Sequence, residues 1–194
     1  MNINNSSPNI LLFDAIPYYL YYMKLSDIKI IGVLLVVLLN LFGAQPAKAM
    51  NPLEEAYVAN IEKYTLAVDL EQKKYDKLGA SPAFQSNSPT SAKYKAAAKN
   101  MIRSIDKMSV TFRKLEALTA PESFASTEPF LKGWIKYSLE YYALWKKALA
   151  PKFKYTEAVS EELMDLAINK GKWWEELSKE FAQDYAELQT PPTN

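Results

Sequence analysis

Seven residues of one stretch, Tyr94, Ala98, Met101, Ile105, Met108, Phe112 and Leu115, recur at strictly alternating spacings of four and three. That spacing puts all seven on one face of an α-helix and is incompatible with the every-second-residue pattern of a half-buried strand. A helix with one apolar stripe cannot bury that stripe alone, so the chain must supply partners of the same kind. The spacing predicts a helix over residues 89–118, with Ser88 as its cap and Pro89 in its first turn.

Three further stretches supply the partners. Residues 52–78 carry Tyr57, Ile61, Tyr64, Val68, Tyr75 and Leu78 on one stripe, with Glu71 in the slot between Val68 and Tyr75. Asn51 is a good cap, Pro52 a good first residue, and Gly79 a good stop. The run that follows, residues 79–89, reads as a loop by its Gly, Ser, Asn and Pro content. A third helix is predicted over residues 127–149, with Thr127 as its cap and Pro151 as its stop. A fourth covers residues 156–188 through Val159, Leu163, Leu166, Trp173, Leu177, Phe181 and Leu188, and Pro191 and Pro192 leave a tail at 190–194. No segment alternates with period two between turn signals. The expectation is therefore an all-α single domain over residues 50–194, an antiparallel up-down-up-down four-helix bundle.

Residues 1–49 are set apart from that domain. Lys24 and Lys29 precede an apolar run at residues 30–42, and Ala47 and Ala49 flank Lys48, the order of a signal peptide with its cleavage site over residues 23–49. The run is shorter than the ~20 residues that span a bilayer, so cleavage is expected rather than anchoring. Residues 1–22 then read as an upstream extension, with Met23 as the expected start. The expected destination is outside the cytoplasm, periplasmic or extracellular.

Absences narrow the chemistry. The chain contains neither Cys nor His, which removes disulfides, thiolate nucleophiles, imidazole metal ligands and Ser-His-Asp relays. Residues 50–194 carry as many Lys and Arg as Asp and Glu, so nothing favours nucleic acid or an anionic membrane as a partner. The bare architecture resembles that of four-helix cytochromes and of small extrinsic proteins of photosynthetic membranes, but an arrangement of helices carries no function by itself. The residues such cytochromes use to hold haem are missing, and no cofactor or metal is expected.

Candidate functional residues lie on the third and fourth helices. Apolar positions of the third helix, including Trp134, Ile135, Leu139, Tyr141, Tyr142 and Trp145, cover more of the circumference than the ~100° stripe a single core requires. Either that helix is flanked closely on both sides, or part of the arc meets a partner or ligand, with Leu139 at the exposed edge and Trp174 of the fourth helix beside it. Lys170 interrupts the apolar stripe of the fourth helix and Glu71 that of the first, so an interhelical ion pair Glu71–Lys170 competes with a lysine that snorkels to solvent. Gly171 is expected to pack beneath an aromatic of the third helix. Adjacent carboxylates such as Glu161 and Glu162 point about 100° apart and read as solvated faces, as does the row Lys93, Lys95, Lys99 and Arg103. The expected function is that of an exported, non-enzymatic accessory or scaffold protein that binds an envelope or membrane-associated protein. The alternative is a carrier of a small apolar ligand held between aromatic-lined helices.

Overall fold

The computed structural model describes residues 50–150, 153 and 156–189, and these are all-α, with no strand among them. The signal peptide, the extension at 1–22 and the tail at 190–194 expected from the sequence lie outside the described residues. Helix α1 spans Pro52–Gly79, a short α2 Pro82–Gln85, α3 Ala92–Glu116, α4 Thr127–Ala148 and α5 Glu157–Gln189, with a 3-10 turn at Glu122–Phe124 before α4.

The start of α1 is the reciprocal cap expected of Asn51. Its side-chain oxygen accepts from the N–H groups of Leu53 and Glu54 at 2.9 and 3.1 Å, and Glu54 accepts in return from the Asn51 N–H at 2.8 Å. The remaining Glu54 oxygen accepts from Ser123 Oγ at 2.8 Å, which ties this cap to the 3-10 turn. The stretch read as loop contains α2 because Pro82 presets the first helical φ after the extended Ser81, and Phe84 is drawn in to stack on Tyr94 at 4.7 Å. The cap of α3 is Ser91, not Ser88. Ser91 Oγ accepts from the Tyr94 N–H at 3.1 Å, whereas Ser88 turns to Thr90. Thr127 is likewise no cap but the first residue of α4, fully buried, and its hydroxyl is used elsewhere.

Contacts along the helices fix their directions. Glu71 of α1 meets Ser104 and Lys107 of α3, and Lys114 lies over the Tyr64 ring, so α1 and α3 run oppositely. Phe112 of α3 meets Trp134 of α4, and Asp106 accepts from Lys146, again in opposite sense. Thr127 at the start of α4 meets Asp184 near the end of α5, while Lys170 lies over Tyr141. Tyr75 reaches across from α1 to Tyr142 and Trp145 of α4. Backbone packing is closest within the pairs α1/α3 and α4/α5, intermediate between α3 and α4, and sparse between α1 and α5. A single apolar core receives Met108, Leu115, Ile135, Tyr141 and Leu163 from α3, α4 and α5, and Tyr57, Ile61 and Tyr75 from α1.

The buried stripe of α5 passes through Leu163, Lys170, Trp174, Leu177, Phe181 and Tyr185. The two indoles therefore exchange the places expected of them: Trp174 is core, and Trp173 is half-buried against α4 beside Phe130 and Tyr137. Gly133 is what admits Trp173, since a Cβ there would overlap the indole ring. Gly171, by contrast, packs beneath no aromatic; a Cβ built on it has no neighbour within 4 Å.

One end of the core is closed by Tyr57, whose ring lies 5.3 Å from that of Phe124, itself 5.3 Å from Phe181. The Tyr57 hydroxyl is buried without a hydrogen-bond partner. Burial, reinforced by the negative charges of Glu128 and Asp184, pushes its pKa from 10.0 up to about 12. The folded state thus binds this proton more tightly than the unfolded chain does, and its contribution is complete below pH 10 and lost as pH rises from 10 towards 12. Tyr57→Phe removes both the unpaired group and the titration. Chemical denaturation at pH 7 is expected to show a gain of about 1 kcal/mol, and the alkaline fall in stability is expected to become shallower. A loss of stability at pH 7 would show that the hydroxyl has a partner.

Candidate functional site

The sparse packing between α1 and α5 leaves a cleft of about 50 Å³. From α1 it is lined by Thr65, Val68, Asp69 and Gln72, and from α5 by Lys170, Gly171 and Trp174; its floor is Phe112 of α3 with Trp134, Ser138 and Tyr142 of α4. Helical spacing explains the set. Trp134, Ser138 and Tyr142 follow one another at intervals of four on α4, and Lys170 and Trp174 do the same on α5, so each helix presents one row to the gap.

The walls are apolar and aromatic. The rings of Trp134 and Trp174 lie 4.5 Å apart, and Phe112 meets Trp134 edge-on at 5.2 Å. Four polar groups converge among them. Lys170 is only 9% exposed, with its ammonium 4.9 Å from the Tyr141 ring centre and 5.4 Å from that of Tyr142. A cation over ring faces gains from the negative π surface, which offsets part of the desolvation that burial imposes on a lysine. Asp69 accepts from the exposed Lys73 at 2.6 Å, and Gln72 donates to Asp76 at 2.8 Å. Ser138 is fully buried, and its Oγ has no hydrogen-bond partner among the described residues.

Gly171 stands on the α5 wall of this cleft inside a helix of 33 residues, where a glycine costs ~1 kcal/mol relative to alanine. Nothing packs on it, so its small size is not explained by the fold.

Most of the residues singled out in the sequence are core rather than surface. Trp134 and Trp174 are 7% exposed, Tyr142 1%, and Ile135 and Tyr141 fully buried. Leu139 and Trp145 are half-buried against the same core, and the Trp145 indole nitrogen is buried without a partner. The wide arc of α4 is therefore accounted for by neighbours on both sides, α3 and α5, with Tyr75 of α1 reaching across. The Glu71–Lys170 ion pair is not formed. Glu71 faces α3, where it accepts from Lys74 at 2.7 Å, Ser104 at 3.2 Å and Lys107 at 3.4 Å. The hydrogen bond from Lys74 comes first among the causes that hold its carboxyl below the usual range. The buried face of α1 is turned towards Asp69 and Gln72, so Glu71 leaves the side on which Lys170 approaches.

Of the residues named from sequence, Trp134, Tyr142, Trp174 and Lys170 are brought together in the cleft. Ser138, Gln72, Asp69 and Gly171 were missed as part of it. The signal for Ser138 was present: a lone small hydroxyl one turn from both Trp134 and Tyr142 in the middle of an apolar arc.

Among the described residues no group of three or more acidic side chains converges as a metal site, and no helix is long and apolar enough to cross a membrane. Comparison with known proteins finds no matching family model, no similar curated protein and no similar solved structure.

Proposed function

We propose that the chain is an exported, non-enzymatic binding protein, an up-down-up-down four-helix bundle that holds a small ligand in the cleft between α1 and α5. The observation that carries this reading is the combination of an aromatic-walled gap with the buried, unpartnered hydroxyl of Ser138, one of the residues that line it. Buried hydroxyls are normally satisfied, and an orphan that faces a cavity is a place for a ligand atom or an ordered water. Sparse α1/α5 packing lets the gap widen without breaking either tight helix pair. The absence of His and Cys from the sequence and the commitment of Asp69 to Lys73 argue for binding without catalysis. Export rests on the basic, apolar and small-residue order of residues 23–49, and it places the mature N-terminus at or near Met50.

A second reading, docking onto an envelope protein, is favoured by two exposed apolar pairs, Leu66 with Leu70 on α1 and Met164 with Ile168 on α5. Native mass spectrometry of the protein purified from its own source distinguishes the two. The expected spectrum shows the mature chain starting near Met50 with a small-molecule mass that is lost on denaturation. A chain that is always ligand-free, and that carries a protein partner instead, overturns the carrier reading in favour of docking.

A further inference from the structure

We infer, independently of the cleft, that the outward face of α3 is a docking surface for the outward face of α5 on a second copy of this chain, so that copies add side by side in a row. Residues 50–194 are neutral as a whole, but their charge is not evenly spread. Helix α3 carries seven Lys and Arg against two Asp and Glu, and α5 carries nine Asp and Glu against three Lys. Both excesses are exposed. Lys95, Lys99 and Arg103 stand one turn apart on the side of α3 away from Met101 and Ile105, and Glu157, Glu161 and Asp165 stand one turn apart on the side of α5 away from Leu163. None of these six side chains has an oppositely charged partner among the described residues, whereas Asp106, Lys107 and Arg113 further along α3 are paired.

The two faces do not neutralise each other within one molecule. Helix α4 separates α3 from α5 on one side and α1 does so on the other, so the basic and acidic faces point outwards in opposite directions. Their levels also match. Both α3 and α5 run opposite to α4: Asp106 and Phe112 of α3 meet Lys146 and Trp134 of α4, and Tyr141 and Thr127 of α4 meet Lys170 and Asp184 of α5. Carried through α4 at ~1.5 Å per residue, those contacts set Lys95, Lys99 and Arg103 within about one turn of the levels of Glu157, Glu161 and Asp165. A sideways translation of one copy, with no rotation and no shift along the bundle, therefore brings the basic row opposite the acidic one with the same four-residue spacing in each. Val110 adds exposed apolar area to the α3 face and Ile168 to that of α5. Such a contact is heterologous, because each copy engages through α3 and still presents α5, so it repeats instead of closing. A neutral chain meets no long-range repulsion from its own copies, and the local fields orient the encounter. An acidic protein or an anionic membrane would engage α3 alone; a second copy uses both faces.

Sedimentation velocity of the chain expressed from its full sequence tests this at up to ~1 mM protein, in about 20 mM and about 500 mM salt. At low salt the mean mass is expected to rise continuously with concentration, and high salt is expected to weaken association at least roughly tenfold. The double variant Lys99→Gln, Arg103→Gln and the double variant Glu161→Gln, Asp165→Asn are each expected to stay monomeric, with melting temperatures close to the parent's because these side chains are exposed. An equimolar mixture of the two variants retains one intact face of each kind and is expected to stop at a dimer of one with the other. A parent chain that is monomeric at low salt up to the highest concentration, a mass that does not respond to salt, or a mixture that stays monomeric or grows past the dimer overturns the inference. So does binding of the parent, without self-association, to phosphatidylglycerol vesicles that the α3 variant fails to bind, which would assign the basic face to an anionic membrane instead.

Discussion

Tyr142→Ser is expected to lower the free energy of unfolding by about 3–5 kcal/mol, the range for deleting a buried aromatic. Tyr142 is 1% exposed, and its ring is the meeting point of the four long helices. It lies 6.2 Å from Tyr75 of α1, 6.2 Å from Phe112 of α3 and 5.2 Å from Tyr141 on its own helix, with the Lys170 ammonium of α5 above it. Serine would leave a cavity that α3 and α4 cannot close, because the same residues hold Trp134 in place. Leu139→Ser, at a half-buried position on the same helix, is expected to cost only about 1 kcal/mol by area. The measurement is urea unfolding of both variants at pH 7. A Tyr142→Ser protein with an unchanged midpoint would show that α4 is not clamped between α3 and α5.

Asp184→Ala is expected to cost about 3 kcal/mol, a fall of roughly 10 °C in melting temperature for a domain of this size. The carboxylate is 8% exposed and has no cationic partner among the described residues; hydroxyls hold it instead. Ser126 Oγ donates within 2.6 and 2.7 Å of its two oxygens, and Thr127 Oγ1 donates at 2.6 Å. These donors stand at the N-terminus of α4, where the helix dipole also favours a negative charge. Removing the carboxylate strands the Thr127 hydroxyl, which is fully buried, and that stranded group supplies much of the cost. The double variant Thr127→Val, Asp184→Ala is therefore expected to be less unstable than the two single effects added together. Additive losses in thermal unfolding would show that the two side chains act independently.

The helices were legible from the sequence because each carries its own period and its own stops. The seven-residue pattern from Tyr94 to Leu115 falls within α3, and six of those seven residues are buried. What sequence alone did not place was the rotation of each helix about its axis. On α1 a stripe drawn through Tyr64 and Glu71 differs from the one drawn through Asp69 and Gln72 by less than half a turn, and only the positions of α3 and α5 decide between them. The same ambiguity exchanged Trp173 with Trp174. The cleft was partly legible for the same reason: its aromatic members were found because they are large, whereas Ser138 and Gly171 matter through what they leave unfilled, and emptiness has no periodic signature. The Ser88 cap failed because two serines three apart compete for one helix start, and the one that reached the Tyr94 N–H is Ser91.

The loose seam between α1 and α5 also bears on the order in which the molecule is made. Each tight pair joins long helices that follow one another in the chain, with only the short α2 between α1 and α3, so either hairpin can form early from local contacts with little loop entropy to overcome. The seam instead joins the first helix of the domain to the last, the greatest separation the domain contains, and its closure is the step for which both hairpins must already be present. The cleft is therefore completed only once the final helix has been synthesised, and a chain cut short before α5 lacks the wall formed by Lys170, Gly171 and Trp174.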